Sequence, residues 1–308
     1  MQDPFTGQAT CLQGSTFPGE TARLALLGGH WKRLRAFDLM VEAAGQCGIV
    51  ADQDRDFAVL PEDDVSLLEL AGGSWAEFGA ALRRFRELLP FVQLDPFGFK
   101  PDGEDLFETN TAEVVKIGAG VEALAFESRD GSIYKFFYFR EGGAVGSAFR
   151  FSGGEDNVLI ATAVPATYSL LLAKLLIVHE IGMPTEVLGI TPEGVLVVKQ
   201  ARGESLPQGA DTSKVLPPEL IPIPSRFLRA DRDHPRLLFL DGTPWLVADM
   251  HARNFARGAD GALHVIDLVA APWPMDHPAH NGLLRDWLER VRADPGASVL
   301  TSSPDHEL

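Results

Sequence analysis

The stretch Trp245–Ala270, WLVADMHARNFARGADGALHVIDLVA, decides how the chain is read. Apolar runs at 245–248 and 263–267 have the length and composition of short strands. Between them lies a polar loop, Asp249-Met-His-Ala-Arg-Asn254, followed by Asp260-Gly261. Asp-Gly between two apolar runs is a strong hairpin signal. The unit GADGALHVID is therefore a hairpin, and it brings Asn254 and Asp267 to neighbouring positions.

Asp249, Asn254 and Asp267 are the residue types that phosphoryl transfer to a hydroxyl needs. One carboxylate accepts the hydroxyl proton, while an amide oxygen and a second carboxylate hold a divalent cation across the phosphates. Magnesium takes hard oxygen ligands, few of them from protein. The spacing of Asp249 to Asn254 alone arises often by chance, because Asp caps turns and Asn occupies loops. The strand–hairpin–Asp context gives it weight. DMHARN followed by VID resembles the catalytic loop of kinase-like phosphotransferases, above all the Asp-x-His-x-x-Asn form of aminoglycoside and choline kinases. The chain also resembles the compact serine/threonine/tyrosine kinase-like domains of phage-associated polyvalent proteins, over about residues 112–275. The resemblance implies an α+β, protein-kinase-like bilobal fold with a five-stranded antiparallel N-lobe and a reduced C-lobe. It implies ATP and Mg²⁺ as cofactors, Asp249 as base, and Asn254 and Asp267 as metal ligands. His251 takes a supporting role in that loop.

Upstream, VVKIGAGVEALAFESRDGSIYKFFYF (114–139) alternates in polarity and predicts strands near 113–118, 121–128 and 132–138. Gly118 and Gly120, with Ala123 after them, match a glycine-rich phosphate loop. Glycines there let backbone N–H groups approach phosphates, though an ordinary hairpin turn gives the same pattern. Lys135 lies among Ile133, Tyr134 and Phe136 and faces away from Tyr134 and Phe136. Burying it without an anion is costly, so it either reaches α/β-phosphates or snorkels from an edge. A Gly-rich loop is expected at 142–154. A helix is expected over 158–181, firm from Pro165, then a hairpin over 185–200 turning at Pro192-Glu193-Gly194. Val198 and Gln200 then belong to the last strand and hinge, whose backbone meets adenine by resemblance. Two features depart from the family pattern. The helix has no acid to pair with Lys135 until Glu180 at its end, with Glu155 as a second candidate. After Asp267 comes Leu-Val-Ala, with no activation segment.

Residues 1–20 read as a lead-in. Residues 21–46 are helical, with Gly28-Gly29 a candidate break. Residues 74–89 form an amphipathic helix with Ser74 and Glu77 as a capping box. Residues 203–225 read as a linker, 226–241 as a short helix and its exit, and 281–293 as a helix packed by Trp273, Trp287 and Leu288. The domain reading is a helical extension over 1–105, an N-lobe over 106–203 and a C-lobe over 204–308. Asp52, Asp54 and Asp56 lack the glycine and final glutamate of a calcium loop. His277 and His280 beside Asp276 lack further ligands at a suitable spacing.

The 308 residues carry a formal net charge of −16. A field of that sign repels nucleic acid and anionic membranes, so neither is expected as a partner. An anionic ligand needs a local cation. The two cysteines, Cys11 and Cys47, are too few for a disulfide framework. The sequence has neither a signal-peptide pattern nor a membrane-length apolar run, and a cytoplasmic location is expected. Three functions fit: a phosphotransferase acting on a protein or small-molecule hydroxyl, a nucleotide-binding pseudokinase-like module without turnover, and a toxin- or antitoxin-type regulator on the same fold.

Overall fold

The computed structural model describes residues 19–49, 58–102, 104–106, 110–138, 145–153, 158–207, 210–212, 215–224, 227–230, 235–275 and 278–294. Residues 1–18 of the lead-in, the Asp52–Asp56 acidic run, Glu155, Asp276, His277 and residues 142–144 and 154 of the expected Gly-rich loop lie outside these residues, as does the side chain of His280. The chain is α+β. Its helices are α1 (Glu20–Gln46), α2 (Glu62–Ala71), α3 (Gly73–Leu88), α4 (Tyr168–Ile181) and α5 (Pro278–Ala293). The strands through the first two-thirds are β1 (Val114–Ala119), β2 (Ala123–Ser128), β3 (Ile133–Phe137), β4 (Ser147–Gly153), β5 (Leu159–Pro165), β6 (Thr185–Ile190) and β7 (Leu196–Gln200). After them come β8 (Glu204–Ser205), β9 (Ile221–Pro222), β10 (Leu228–Ala230), β11 (Arg236–Leu240), β12 (Thr243–Ala248), β13 (Phe255–Arg257), β14 (Leu263–Val265) and β15 (Val269–Pro272). Two compact units result. The first comprises Met1–Gly146, Ala166–Glu204 and Arg257–Ala262; the second comprises Ser147–Pro165, Ser205–Ala256 and Leu263–Leu308.

The first unit is built on a five-stranded sheet, order β1-β2-β3-β7-β6, with every neighbouring pair antiparallel. Alternation along each strand sends side chains to opposite faces. Phe126, Tyr134, Phe136 and Val197 pack on one face against Phe97, Phe99 and Leu106. The Phe97 and Phe99 rings meet Phe136 and Phe126 edge-on, each pair at 5.1 Å. Phe137, Val187, Leu196 and Val198 pack on the other face with Leu171, Leu172 and Leu175 of α4. That same core takes in Phe37 and Met40 of α1 and Phe78, Leu82 and Phe85 of α3. Helix α4 (YSLLLAKLLIVHEI) is apolar around nearly its whole circumference, and such a helix must be enclosed on all sides.

Polar contacts fix how α1 meets α4. Arg23 donates to the carbonyls of His179 (2.7 Å) and Glu180 (2.9 Å), the last turn of α4, where a cation suits the helix dipole. The Thr185 N–H donates to His179 Nδ1 at 2.9 Å, so the opposite nitrogen carries the proton and donates to the Arg23 carbonyl, also at 2.9 Å. His30 Nε2 donates to the Thr185 carbonyl at 2.8 Å. Arg33 reaches the Leu88 and Val187 carbonyls. At β6 the chain before the sheet comes very close. Ile190 donates to the Pro90 carbonyl and Val92 donates to the Ile190 carbonyl. A Cβ on Gly189 would stand 2.2 Å from the Pro90 oxygen.

Several local expectations change. Helix α1 runs unbroken through Gly28-Gly29. Helix α3 starts at Gly73 with Gly72 before it, so Ser74 is inside the helix and caps nothing. Helix α4 begins only at Tyr168, capped by Thr167, whose hydroxyl accepts from the Leu170 N–H. Residues 159–165 form β5 instead, because LIATAVP alternates buried and exposed at its start and pairs with β4 across seven residues. In the described part of 226–241, Leu228–Ala230 and Arg236–Leu240 are strands, β10 and β11.

In the second unit, β5 is flanked by β4 (antiparallel) and β10 (parallel). A four-stranded sheet runs β15-β12-β11-β9. Asp241 (φ 47°) and Gly242 (φ 75°) form the two-residue turn between β11 and β12, the positive-φ pair of a type I′ hairpin. Trp287 of α5 is fully buried, edge-on to Phe227, and Trp273 is buried near Phe151.

Two stability tests follow from these contacts. Burial foremost, with the Arg33 charge nearby, pushes the His30 pKa from 6.5 to about 3, and burial also lowers that of His179. Both are held neutral in the fold but protonate freely once unfolded. Stability is therefore full above the unfolded pKa and is lost as pH falls below about 6.5. Urea melts should show His30 alone removing about 2 kcal/mol between pH 7 and pH 5, with a shallower pH slope for His30→Gln. Gly189→Ala should cost about 2–3 kcal/mol through the backbone clash. Gly28→Ala, whose added methyl meets nothing within 4 Å, should be neutral or stabilising by up to about 1 kcal/mol.

Candidate functional site

Strand β12 delivers the chain to Asp249, which holds a φ of 68°. Left-handed backbone is uncommon outside glycine, and Asp tolerates it better than most residues. The conformation turns the chain sharply out of the sheet. Met250 is fully buried, and its carbonyl accepts from the Thr212 hydroxyl at 3.0 Å. A single 3₁₀ turn, Ala252–Asn254, follows, closed by the Asn254 N–H on the His251 carbonyl at 2.8 Å. The Asn254 side-chain amide then folds back, donating to the Asp249 carbonyl at 2.6 Å and to Asp249 Oδ2 at 3.1 Å. With its nitrogen so engaged, the atom Asn254 could offer a cation is Oδ1.

Two strand registers bring Asp267 to the same place. Ala248 pairs with Val269 across β12 and β15, so Asp249 and Leu268 are next to that pair at the strand end. The Ile266 N–H donates to the Asn254 carbonyl at 2.9 Å, with Gly258 and Ala262 closing the hairpin beyond. Asp249 at the end of β12, Asn254 before β13 and Asp267 between β14 and β15 are thereby linked through these two backbone registers, which belong to two different sheets. Asp267 Oδ1 accepts from the Leu268 N–H at 2.9 Å, which fixes the carboxylate's rotation. His251 Nε2 is 3.6 Å from Asp249 Oδ1, and its buried Nδ1 has no hydrogen-bond partner among the described residues. The donor set is all oxygen. Two such ligands suit magnesium only when phosphate and water complete the shell. Among the described residues no group of three or more His, Cys, Asp or Glu is placed to hold a metal by itself.

The remaining predicted residues lie in the first unit. Lys135 occupies the centre of β3, between Ala125 and Val198, on the face that carries Phe137 and packs on α4. Val198 is buried within β7, paired with Lys135 on one side and Val187 on the other. Gln200 lies two residues on and is also buried, its amide donating to the Thr185 hydroxyl at 2.8 Å. Both are strand residues flanked by neighbours, and the chain leaves the sheet only after Gln200. Gly118 pairs with Ala125, and Gly120 closes the β1–β2 turn with its N–H on the Ala123 carbonyl at 2.9 Å. Neither glycine has a positive φ, and a Cβ on Gly118 would approach nothing closer than 3.8 Å. Local folding does not demand either glycine.

Sequence reasoning passed over one charged pair. Lys174, in the middle of α4, is fully buried and bonds Glu122 in the β1–β2 turn. Its signal was a lone cation in an otherwise apolar helix.

No protein-family model, curated protein or solved structure matches the chain. Among the described residues no helix is long and apolar enough to cross a membrane.

Removing the side-chain clamp tests the geometry. Asn254→Ala should cost about 1–2 kcal/mol in denaturant melts, because it strips two bonds from a residue held in left-handed backbone. Asp249→Gly, which suits that backbone, should change stability by less than about 1 kcal/mol.

Proposed function

We propose that the chain is a Mg²⁺-ATP-dependent phosphotransferase with a reduced, protein-kinase-like bilobal arrangement. It would move the γ-phosphate to a hydroxyl of a protein or small molecule. The observation that carries this reading is the Asn254 amide clamped to Asp249, with Asp267 delivered beside it by the hairpin register. Phosphoryl transfer depends on positioning and charge stabilisation, and this arrangement supplies both kinds of group. The first unit supports the reading through its five-stranded antiparallel sheet, its central Lys135 and glycines that the local fold leaves unexplained. Ile117 and Val121 flank those glycines, apolar and more than half exposed, the kind of surface a planar base covers.

In this mechanism Asp249 takes the proton of the acceptor hydroxyl. The hydroxyl oxygen bonds to the γ-phosphorus as the bond from that phosphorus to the bridging oxygen breaks, and ADP leaves with the electron pair. Mg²⁺ held by Asn254 and Asp267 would neutralise charge on the phosphates. Lys135 would hold the α- and β-phosphates.

A second reading, a nucleotide-binding module without turnover, draws on one observation. Helix α4 has no acid before Glu180 and presents Lys174 instead. Thermal shift with MgATP, followed by an assay for ADP release, separates the two. Saturation at a hundredfold excess over Kd should stabilise the wild type by about 2.7 kcal/mol. Asp267→Ala and Lys135→Ala should abolish the shift. Asp249→Asn should keep the shift and lose at least about a hundredfold in turnover. No shift in the wild type at millimolar MgATP overturns nucleotide binding, and a shift without ADP release selects the module.

A further inference from the structure

Lys174 is 1% exposed, in a helix whose other buried positions are Leu, Ile, Val and Ala apart from Tyr168 and His179 near its ends. Its Nζ bonds Glu122 Oε2 and stands 5.9 Å from the Phe137 ring centroid. Glu122 belongs to the two-residue tip of the β1–β2 hairpin, between Gly120 and Ala123. Nearby chain packs over the pair. A Cβ on Gly146 (φ 69°) would meet Leu171 at 3.3 Å and Glu122 Oε2 at 3.9 Å. Burying an ion pair is a poor route to stability, since apolar residues of similar size often do as well or better. A leucine or methionine at 174 would suit the fold. The pair instead ties one particular turn, the one bearing Gly118 and Gly120, to the helix behind the sheet.

We propose that Lys174 and Glu122 are positioning residues that hold the Gly118–Ala123 turn in the conformation that receives a nucleoside triphosphate. This rests on the phosphotransferase reading. The link between helix and phosphate-binding elements runs in the reverse sense to a strand lysine paired with a helix acid. Here the helix supplies the cation and the turn supplies the acid. Neither Lys174 nor Glu122 touches the nucleotide; they act through the turn's backbone. A turn set loose samples other conformations, and triphosphate affinity falls in proportion to the population lost.

The test is calorimetric titration of the full chain with MgATP and, separately, with AMP, which lacks the phosphates the turn would contact. The variants are Glu122→Gln, Lys174→Met and the exchange Glu122→Lys with Lys174→Glu. The expected result is a loss of about tenfold in MgATP affinity for each single variant. AMP affinity should change less than about twofold, and the exchange should recover part of the MgATP loss. Glu122 is at the hairpin tip with its side chain 12% exposed, so Glu122→Gln decides the matter if Lys174→Met does not fold. A wild type that binds MgATP while Glu122→Gln binds it equally well overturns this proposal and leaves the phosphotransferase reading standing. A wild type that binds no MgATP overturns the reading, and the proposal falls with it. Equal losses for AMP and MgATP would show a merely structural pair.

Discussion

Helix α4 has almost no polar face, and the first unit is organised by that fact. A cylinder made mainly of Leu, Ile, Val and Ala cannot face water along any side, so the sheet takes one flank and α1 another, with α3 packed in turn on α1. The backbone polar groups at the end of α4 then need partners within the protein, and Arg23, His30 and Thr185 supply or organise them. The buried histidines follow from the same enclosure. Each is neutral because burial penalises the charged imidazolium.

The site is held by different means. Met250 is buried at the end of β12, beside the site residues. Two strand registers and one amide clamp do the positioning, and the left-handed Asp249 makes the turn between them possible. Such a site is rigid through hydrogen bonds, and groups placed this way need little reorganisation when charge develops.

Much of this was legible in the sequence where local chemistry and global packing agree. The three strands of 114–137 are rich in apolar strand-forming residues, Asp130-Gly131 announces the turn between β2 and β3, and Asp260-Gly261 announces the hairpin that links Asn254 to Ile266, next to Asp267. Reading failed where the two conflict. LIATAVP was merged into the helix that follows it, because an apolar run does not by itself separate strand from buried helix. Its partner β4 lies in a segment whose glycines suggested a loop. Asp241-Gly242 was a type I′ signal inside a stretch taken for helix, and it marks the β11–β12 hairpin. Lys174 carries no sign of its role in the sequence, since its partner is 52 residues away and no local pattern connects them.

The Pro90–Val92 passage across β6 has a consequence for how the chain can be divided. Residues 90–106 reach both sides of the sheet: their aromatic side chains cover one face, and their backbone bonds the edge strand and leads back to the helices that cover the other. A fragment cut at residue 106 would keep all five strands and every proposed site residue, yet it would bare an aromatic face and an apolar helix together. The smallest transplantable piece carrying this sheet therefore starts at α1, and the N-terminal helices travel with it as part of its foundation.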